Sequence, residues 1–124
     1  MAKVLVIDDD NTILTAVEVI LEGANYTSVT ALSGKEGLKK VRADRPDAII
    51  LDRQMPEMDG NQVLIELKAN DNTRDIPVIM LTKDNRIGDV SCCLELGAVD
   101  YIVKPFDSDN FLMRLSKALK DAQR

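Results

Sequence analysis

Residues 4–10 read VLVIDDD, four apolar residues followed at once by three aspartates. Three further apolar runs also end in a polar residue: AIIL at 48–51 precedes Asp52, VIML at 78–81 precedes Thr82, and YIV at 101–103 precedes Lys104. Such short Val- and Ile-rich runs, which do not alternate with polar residues, are typical of strands buried on both faces of a parallel sheet. Because parallel strands end at one edge of their sheet, these polar residues are predicted to share a rim.

Helical patterns separate these runs and predict a βα unit repeated five times. The more polar run YTSVTA at 26–31 suits an edge strand, and Ser33 with Glu36 fits a capping box that opens the second helix. The apolar residues at helical spacing are Ile13, Val17, Ile20 and Leu21; Leu38 and Val41; Val63, Leu64 and Leu67; Ile87, Val90 and Leu94; and Phe111, Leu112, Leu115 and Leu119. Right-handed crossovers then place helices on both faces of the sheet, which predicts a doubly wound α/β fold.

Length and composition fit a single domain over residues 1–124 that buries a real core, with 45% apolar and 30% charged residues. The net charge of −5 argues against direct nucleic-acid contact, which needs a basic patch. No apolar run approaches the roughly 20 residues of a membrane span, so we expect no membrane contact and a cytoplasmic location. Cys92 and Cys93 are adjacent and are expected to be ordinary reduced helix residues. The absence of histidine excludes a Ser-His or Cys-His hydrolase and a phosphohistidine on this chain.

The carboxylates at the predicted rim suit a divalent cation and a phosphoryl group. Asp10 is explained as a helix N-cap, but capping does not explain Asp8 and Asp9 at a strand mouth with Asp52 arriving from another strand. Carboxylates brought this close repel one another unless a cation intervenes, and oxygen ligands suit Mg²⁺. A carboxylate beside a metal can also attack phosphorus and form an acyl phosphate.

Thr82 and Lys104 complete the predicted rim. In isolation Thr82 reads as a plain β-branched strand residue and Lys104 as a solvated charge. Facing three carboxylates, Lys104 has an ionic partner and can stabilise charge on a transferring phosphoryl group, while the Thr82 hydroxyl can donate to a phosphoryl oxygen.

With these residues placed, the chain resembles the receiver domains of two-component response regulators, of the chemotaxis-regulator type, over essentially its whole length. The matching motifs are Asp8-Asp9, Leu51-Asp52-x-x-Met55-Pro56-x-Met58-Asp59-Gly60, Leu81-Thr82, and Gly97-Ala98-x-Asp100-Tyr101-x-x-Lys104-Pro105-Phe106. The resemblance implies a flavodoxin-like fold with five helices and five parallel strands in the order 2-1-3-4-5. It also implies a switch that catalyses its own phosphorylation and dephosphorylation, rather than an enzyme acting on other substrates.

The resemblance assigns a role to each rim residue. Asp52 would be the phospho-acceptor. Mg²⁺, or Mn²⁺ in its place, would be bound by Asp9, Asp52 and the backbone carbonyl of Gln54, with Asp8 acting through water or orienting the metal shell. Thr82 and Lys104 would contact the phosphoryl oxygens. Tyr101 would turn inward behind Thr82 and change the surface of the last strand and last two helices.

The implied partners are a sensor histidine kinase or phosphotransfer protein and a downstream target or effector domain, with the chain a monomer or a phosphorylation-dependent dimer. Two residues depart from the family pattern. Lys83 stands where family members usually have a small residue, and Arg53 directly follows the phospho-acceptor. These long side chains either shield the phosphoryl group from water or pair with Asp84 or Glu57 without effect, so they are candidate modulators.

Three other interpretations were weighed against the sequence. Asp8, Asp10 and Thr12 fit the D-x-D-x-T start of haloacid-dehalogenase-type phosphatases, but the chain has no room for a cap domain and the loop at Asp52 is then unexplained. A receiver that binds partners without phosphorylation is disfavoured by the complete set of rim residues. A dinucleotide-binding module is weaker still, because the first βα turn has no glycine fingerprint.

Overall fold

Strands and helices alternate along the chain as the apolar pattern predicts. The computed structural model describes residues 1–83 and 87–122. For residues 87–90 it describes the backbone but not the side chains. The elements are β1 (Lys3–Ile7), α1 (Asn11–Gly23), β2 (Thr27–Ala31), α2 (Gly34–Ala43), β3 (Ala48–Asp52), α3 (Gly60–Ala69), β4 (Val78–Thr82), α4 (Ile87–Glu95), β5 (Asp100–Val103) and α5 (Ser108–Ala122). All strand pairs are parallel and the order is β2-β1-β3-β4-β5, which confirms the predicted fold class and strand order.

The sheet is buried on both faces by helices. Side chains alternate between the two faces along each strand. On one face Leu5, Ile49 and Met80 pack against α2, α3 and the end of α4. On the other face Val6 and Ile50, with their neighbours, pack against α1 and α5. This two-sided burial explains why the strands are almost uniformly apolar.

The strand register aligns the carboxyl ends of the central strands. Ile7 pairs with Leu51, so the residues that follow, Asp8 and Asp52, are neighbours across β1 and β3. Thr82 pairs with Val103, which places Lys104 one step beyond the end of β4. The predicted rim is therefore a consequence of in-register parallel pairing.

The helix caps agree with the sequence only in part. Asp10 caps α1 as predicted, by accepting a hydrogen bond from the Thr12 N–H at 2.8 Å. Ser33 accepts from the Glu36 N–H, but the Glu36 carboxylate accepts from the Leu32 N–H instead of closing a capping box.

A complete capping box does occur at α3, where the Asp59 and Gln62 side chains each accept from the other residue's backbone N–H at 2.9 Å. This box opens the helix that directly follows the predicted phospho-acceptor loop.

The apolar residues at helical spacing in α4 do not all face the core. The side chain of Leu94 is 44% exposed, whereas that of its neighbour Cys93 is buried. One residue rotates a helix by about 100°, so a short apolar pattern can place the buried stripe one residue out of phase. The side chains of Ile87 and Val90, the other two residues of that pattern, lie outside the described part of the chain.

Two further features concern the cysteines and the length of the helices. Cys92 and Cys93 are both free thiols, one exposed and one buried. Within residues 1–83 and 87–122, none of the helices combines the length and apolar character that crossing a membrane requires.

Candidate functional site

The acidic residues of the predicted site converge at the carboxyl ends of β1 and β3. One carboxylate oxygen from each of Asp8, Asp9 and Asp52 lies within 4.8 Å of the others. Asp8 and Asp52 are buried, whereas Asp9 is exposed at the mouth of the cluster. Oxygen donors at this separation match the preference of Mg²⁺ for carboxylate ligands. The sequence-based placement of these three residues is therefore reproduced by the geometry.

Lys104 bridges the two buried carboxylates. Its Nζ donates to Asp8 Oδ2 at 2.9 Å and to Asp52 Oδ1 at 3.2 Å. The side chain of Lys104 is only 10% exposed, so these charges interact with little screening by solvent. The backbone N–H of Lys104 donates to the Thr82 carbonyl at 2.8 Å, which ties the lysine to the end of β4.

Asp8 uses both carboxylate oxygens within the protein. While Oδ2 accepts from Lys104, Oδ1 accepts from the backbone N–H of Asp10 at 3.0 Å. Asp9 is exposed, and Asp52 accepts from both Lys104 and the Gln54 N–H through Oδ1. This arrangement favours Asp8 as the residue that orients the site rather than as a direct ligand.

The ionisation of Asp52 is strongly affected by its surroundings. Burial, followed by the negative charge of Asp8, raises the pKa of Asp52 to about 6, against the lowering effect of Lys104. Burial lowers the pKa of Lys104, but its hydrogen bond to Asp8 and the charges of Asp52 and Asp8 outweigh this, so the pKa of Lys104 is raised. Three carboxylates, those of Asp8, Asp9 and Asp52, therefore face one lysine, and the excess negative charge suits a bound cation.

The loop after Asp52 is fixed by backbone hydrogen bonds. The Arg53 N–H donates to the Leu81 carbonyl at 2.9 Å, and the Gly60 N–H returns to the Arg53 carbonyl at 2.9 Å. The Gln54 N–H lies 3.4 Å from Asp52 Oδ1. The role of the Gln54 carbonyl as a metal ligand stays a prediction. The same loop borders an open cavity of about 480 Å³, lined by Arg53, Gln54, Met55, Pro56, Asp59 and Asn61.

The remaining predicted residues lie around this centre. Thr82 is buried at the end of β4, and Lys83 is exposed directly after it. Arg53 is half-buried. Asp84, the third candidate modulator, lies outside the described residues.

Tyr101 is half-buried in β5 and contacts a residue that the sequence reasoning did not single out. The guanidinium carbon of Arg114 in α5 lies 5.8 Å from the Tyr101 ring centroid. Arg114 also donates to Asp100 at 2.7 Å and to Asn110 at 3.0 Å. The only sequence signal for this cluster was the i, i+4 spacing of Asn110 and Arg114 on an amphipathic helix.

Comparisons with known proteins identify one family. The model of the response regulator receiver domain matches residues 4–116. The transcriptional regulatory protein PrrA of Mycobacterium tuberculosis is 40% identical over 118 residues, which cover 95% of this chain and 50% of PrrA. The regulatory protein PhoP of Bacillus subtilis, named for alkaline phosphatase synthesis, is 36% identical over 98% of this chain and 50% of its own length. The chain thus spans about half the length of these relatives.

Solved structures give the same result. The chemotaxis protein CheY4 of Vibrio cholerae has a TM-score of 0.91 at 33% identity, covering 95% of this chain and 98% of CheY4. A response regulator described as putative from Chloroflexus aurantiacus has a TM-score of 0.92 at 33% identity, covering 96% and 98% of the two chains.

Proposed function

This chain belongs to the response regulator receiver domain family of two-component signalling, and from that premise we propose that Asp52 accepts a phosphoryl group from a phosphohistidine. The donor is a sensor histidine kinase or a phosphotransfer protein. The phosphorylated chain then acts as a switch for a downstream protein target or effector domain. As the chain catalyses only its own modification, it is a signalling domain rather than an enzyme with separate substrates.

The observation that carries this proposal is the buried carboxylate of Asp52, joined to Asp8 through Lys104 and accompanied by Asp9 within 4.8 Å. A nucleophile beside a fixed cation and other oxygen ligands is what phosphoryl transfer requires, because that reaction depends mainly on positioning and charge stabilisation. The alternative phosphatase role for the Asp8 region has less support, because Asp8 is engaged on both oxygens and Asp10 caps a helix.

The acidic cluster fits Mg²⁺, with Mn²⁺ as a substitute, on the chemistry of its donors. Asp9, Asp52 and the Gln54 carbonyl would hold the ion, with Asp8 oriented towards its water shell. When bound, the ion supplies positive charge to the acidic cluster and to phosphoryl oxygens.

In the proposed transfer, an oxygen of Asp52 attacks phosphorus as the phosphorus–nitrogen bond of phosphohistidine breaks. The imidazole nitrogen leaves with the bonding electron pair and takes up a proton. Lys104 exchanges its contact with Asp52 Oδ1 for a phosphoryl oxygen while it keeps Asp8. The Thr82 hydroxyl donates to another phosphoryl oxygen, and each of these contacts stabilises negative charge on the transferred group.

The conformational response then follows from the movement of Thr82. A phosphoryl group adds a charge of roughly −1.5 to −2 and strong acceptor oxygens. As the Thr82 hydroxyl moves towards them, space opens for Tyr101, which leaves its position near Arg114 and turns inward. The result is a shift of an existing population at the surface of β5, α4 and α5 rather than the creation of a new state.

Phosphorylation by a small phosphodonor tests the acceptor. We expect incubation with acetyl phosphate and Mg²⁺ to add one phosphoryl group to the wild type, detected by intact mass, and to add none to Asp52→Asn. Asp10→Asn serves as the matched control, because it removes a carboxylate of the same triplet that lies outside the acidic cluster. Labelling that survives in Asp52→Asn, or that is lost only in Asp8→Asn, would contradict the assignment and favour the phosphatase-type site.

We also propose that Lys83 and Arg53 prolong the lifetime of the acyl phosphate by restricting the access of water. Lys83 is exposed immediately beyond Thr82, next to the rim. We expect Lys83→Ala to dephosphorylate faster than the parent, as measured by loss of the phosphorylated mass. Lys117→Ala, a similar change on α5, is the control. Equal rates for Lys83→Ala and the parent would remove this role.

The output of the switch depends on the effector domain that is joined to this domain or on the separate protein that binds it. The relatives PrrA and PhoP are named as transcriptional regulators and are about twice the length of the matched segment. We propose that this chain supplies the regulatory part of such a system in the cytoplasm. Its own net charge of −5 leaves direct contact with nucleic acid to a partner or effector domain.

A further inference from the structure

A groove between α2 and α3, away from the rim, has walls of opposite charge. Its volume is about 510 Å³ and its lining residues are Lys35, Leu38, Lys39, Arg42, Glu57, Met58 and Glu66. The charged lining residues from α2 are all cations, and we call these residues, Lys35, Lys39 and Arg42, the basic wall. The charged residues of α3 and of the loop before it are acids, and we call Glu57 and Glu66 the acidic wall. The apolar side chains of Leu38 and Met58 lie between the walls.

Most of these charges are not neutralised inside one molecule. Arg42 and Glu66 form a pair across the groove at 3.7 Å, with both side chains largely exposed. No other salt bridge within the described ranges 1–83 and 87–122 involves Lys35, Lys39 or Glu57. The basic wall therefore stands out on a chain whose net charge is −5.

Opposite walls of this kind are complementary to themselves. A two-fold rotation places the basic wall of one molecule against the acidic wall of another, and the same contact is then repeated on the other side of the axis. A partner with one uniform charge would be attracted by one wall and repelled by the other. Leu38 between the walls is already buried, so the apolar surface that association would bury there comes from the half-buried Met58.

We propose that this groove is the contact surface of a symmetric dimer of the chain. The contact is weak and sensitive to salt, because exposed ion pairs are individually small and are screened by ions. The contact does not depend on phosphorylation of Asp52, since neither wall includes a residue of the acidic cluster. The surface is also distinct from that of β5, α4 and α5.

Reversal of the charge of one wall at a time tests the dimer. The acidic variant carries Lys35→Glu and Lys39→Glu, and the basic variant carries Glu57→Lys and Glu66→Lys. We expect the wild type to self-associate reversibly in sedimentation experiments, with an association constant that falls about tenfold or more from low to high ionic strength. Each variant alone is expected to be monomeric, because the net charges of its two walls then have the same sign.

The mixture of the two variants gives the decisive measurement. Each basic surface then meets an acidic one on both sides of the axis, so a one-to-one heterodimer is expected to form with restored affinity. The control Lys117→Glu with Lys120→Glu, on α5, makes the same change in net charge as the acidic variant and should self-associate like the wild type. Circular dichroism establishes that all variants are folded.

Three results would overturn the proposal. The first is a wild type that stays monomeric at every concentration tested. The second is self-association that persists unchanged in both variants, which would place the contact on another surface. The third is a mixture of folded variants that fails to associate. Since none of these measurements involves phosphorylation, they leave the proposed role of Asp52 untouched.

Discussion

The surrounding structure opposes the negative charge of Asp52. In the absence of metal, burial and the neighbouring Asp8 raise its pKa from an ordinary value of 3.8 to about 6. Because the folded protein binds this proton more tightly than the unfolded chain does, ionisation of Asp52 reduces stability. The penalty is absent below pH 3.8, develops as the pH rises, and is complete above about pH 6.

This leads to a prediction for Asp52→Asn. At pH 7 without divalent cations we expect the variant to be more stable than the parent by about 1–3 kcal/mol, because the amide removes the buried negative charge. The advantage should disappear as the pH falls below 4, where Asp52 of the parent is itself neutral. Urea denaturation over a range of pH measures the difference. The exposed Asp121→Asn is the control, and a parent more stable than Asp52→Asn at pH 7 would contradict the argument.

Lys104 shows why one residue can be identified from sequence while its environment is not. Its position after a strand and before a proline predicted a lysine at the rim. Only the folded structure shows that the side chain is nearly buried and that its ammonium contacts Asp8 and Asp52 together. The sequence separation of these residues, 96 and 52 positions, explains why local patterns contain no trace of the contacts.

At the scale of secondary structure elements, the connection from β3 to α3 controls the site. Gly60 begins α3 and packs directly on the backbone of the loop. A Cβ at this position would lie 2.3 Å from the Asp52 carbonyl oxygen and 2.8 Å from Arg53 Cα. Because both neighbours are backbone atoms, neither can move aside without shifting the loop that positions Asp52.

We therefore expect Gly60→Ala to lower the free energy of unfolding by more than about 2 kcal/mol. It should also slow phosphorylation by acetyl phosphate, since the acceptor loop is displaced. Gly23→Ala is the matched control, because a Cβ there meets no atom within 4 Å and the stability change should remain within about 1 kcal/mol. Chemical denaturation of both variants provides the comparison, and similar losses in the two would show that the close packing has no special role.

The helix termini illustrate which element features local sequence predicts. Asp10 at the start of α1 could be recognised because capping depends on residues only two or three positions apart. At α2 the same rule identified Ser33 correctly but assigned Glu36 to the wrong backbone N–H. In α4 the apolar residue Leu94 is exposed, because burial depends on which neighbouring elements cover the helix.

At the scale of the whole molecule, the site exists only in the folded state because its acids come from different strands. A cation that binds this cluster and not the unfolded chain must stabilise the fold. We expect Mg²⁺ to raise the free energy of unfolding of the parent, by about 2.7 kcal/mol at a concentration about 100 times its dissociation constant. A chelator should reverse the effect.

Thermal denaturation with and without Mg²⁺ measures this linkage. Asp9→Asn and Asp52→Asn should lose most of the stabilisation, whereas Asp121→Asn should retain it. An equal response of all the variants would show that the ion acts elsewhere on this acidic chain.

The sequence by itself determined the order of the elements, the buried strands and the set of residues at the strand ends. These features follow from apolar period and composition, which act over a few neighbouring residues. The tertiary structure alone decided the strand register, the bridge made by Lys104, the elevated pKa of Asp52, the contact between Tyr101 and Arg114, and the opposite walls of the groove. Each of these depends on distances between residues far apart in the chain, and such distances are fixed only when the helices pack on both faces of the sheet.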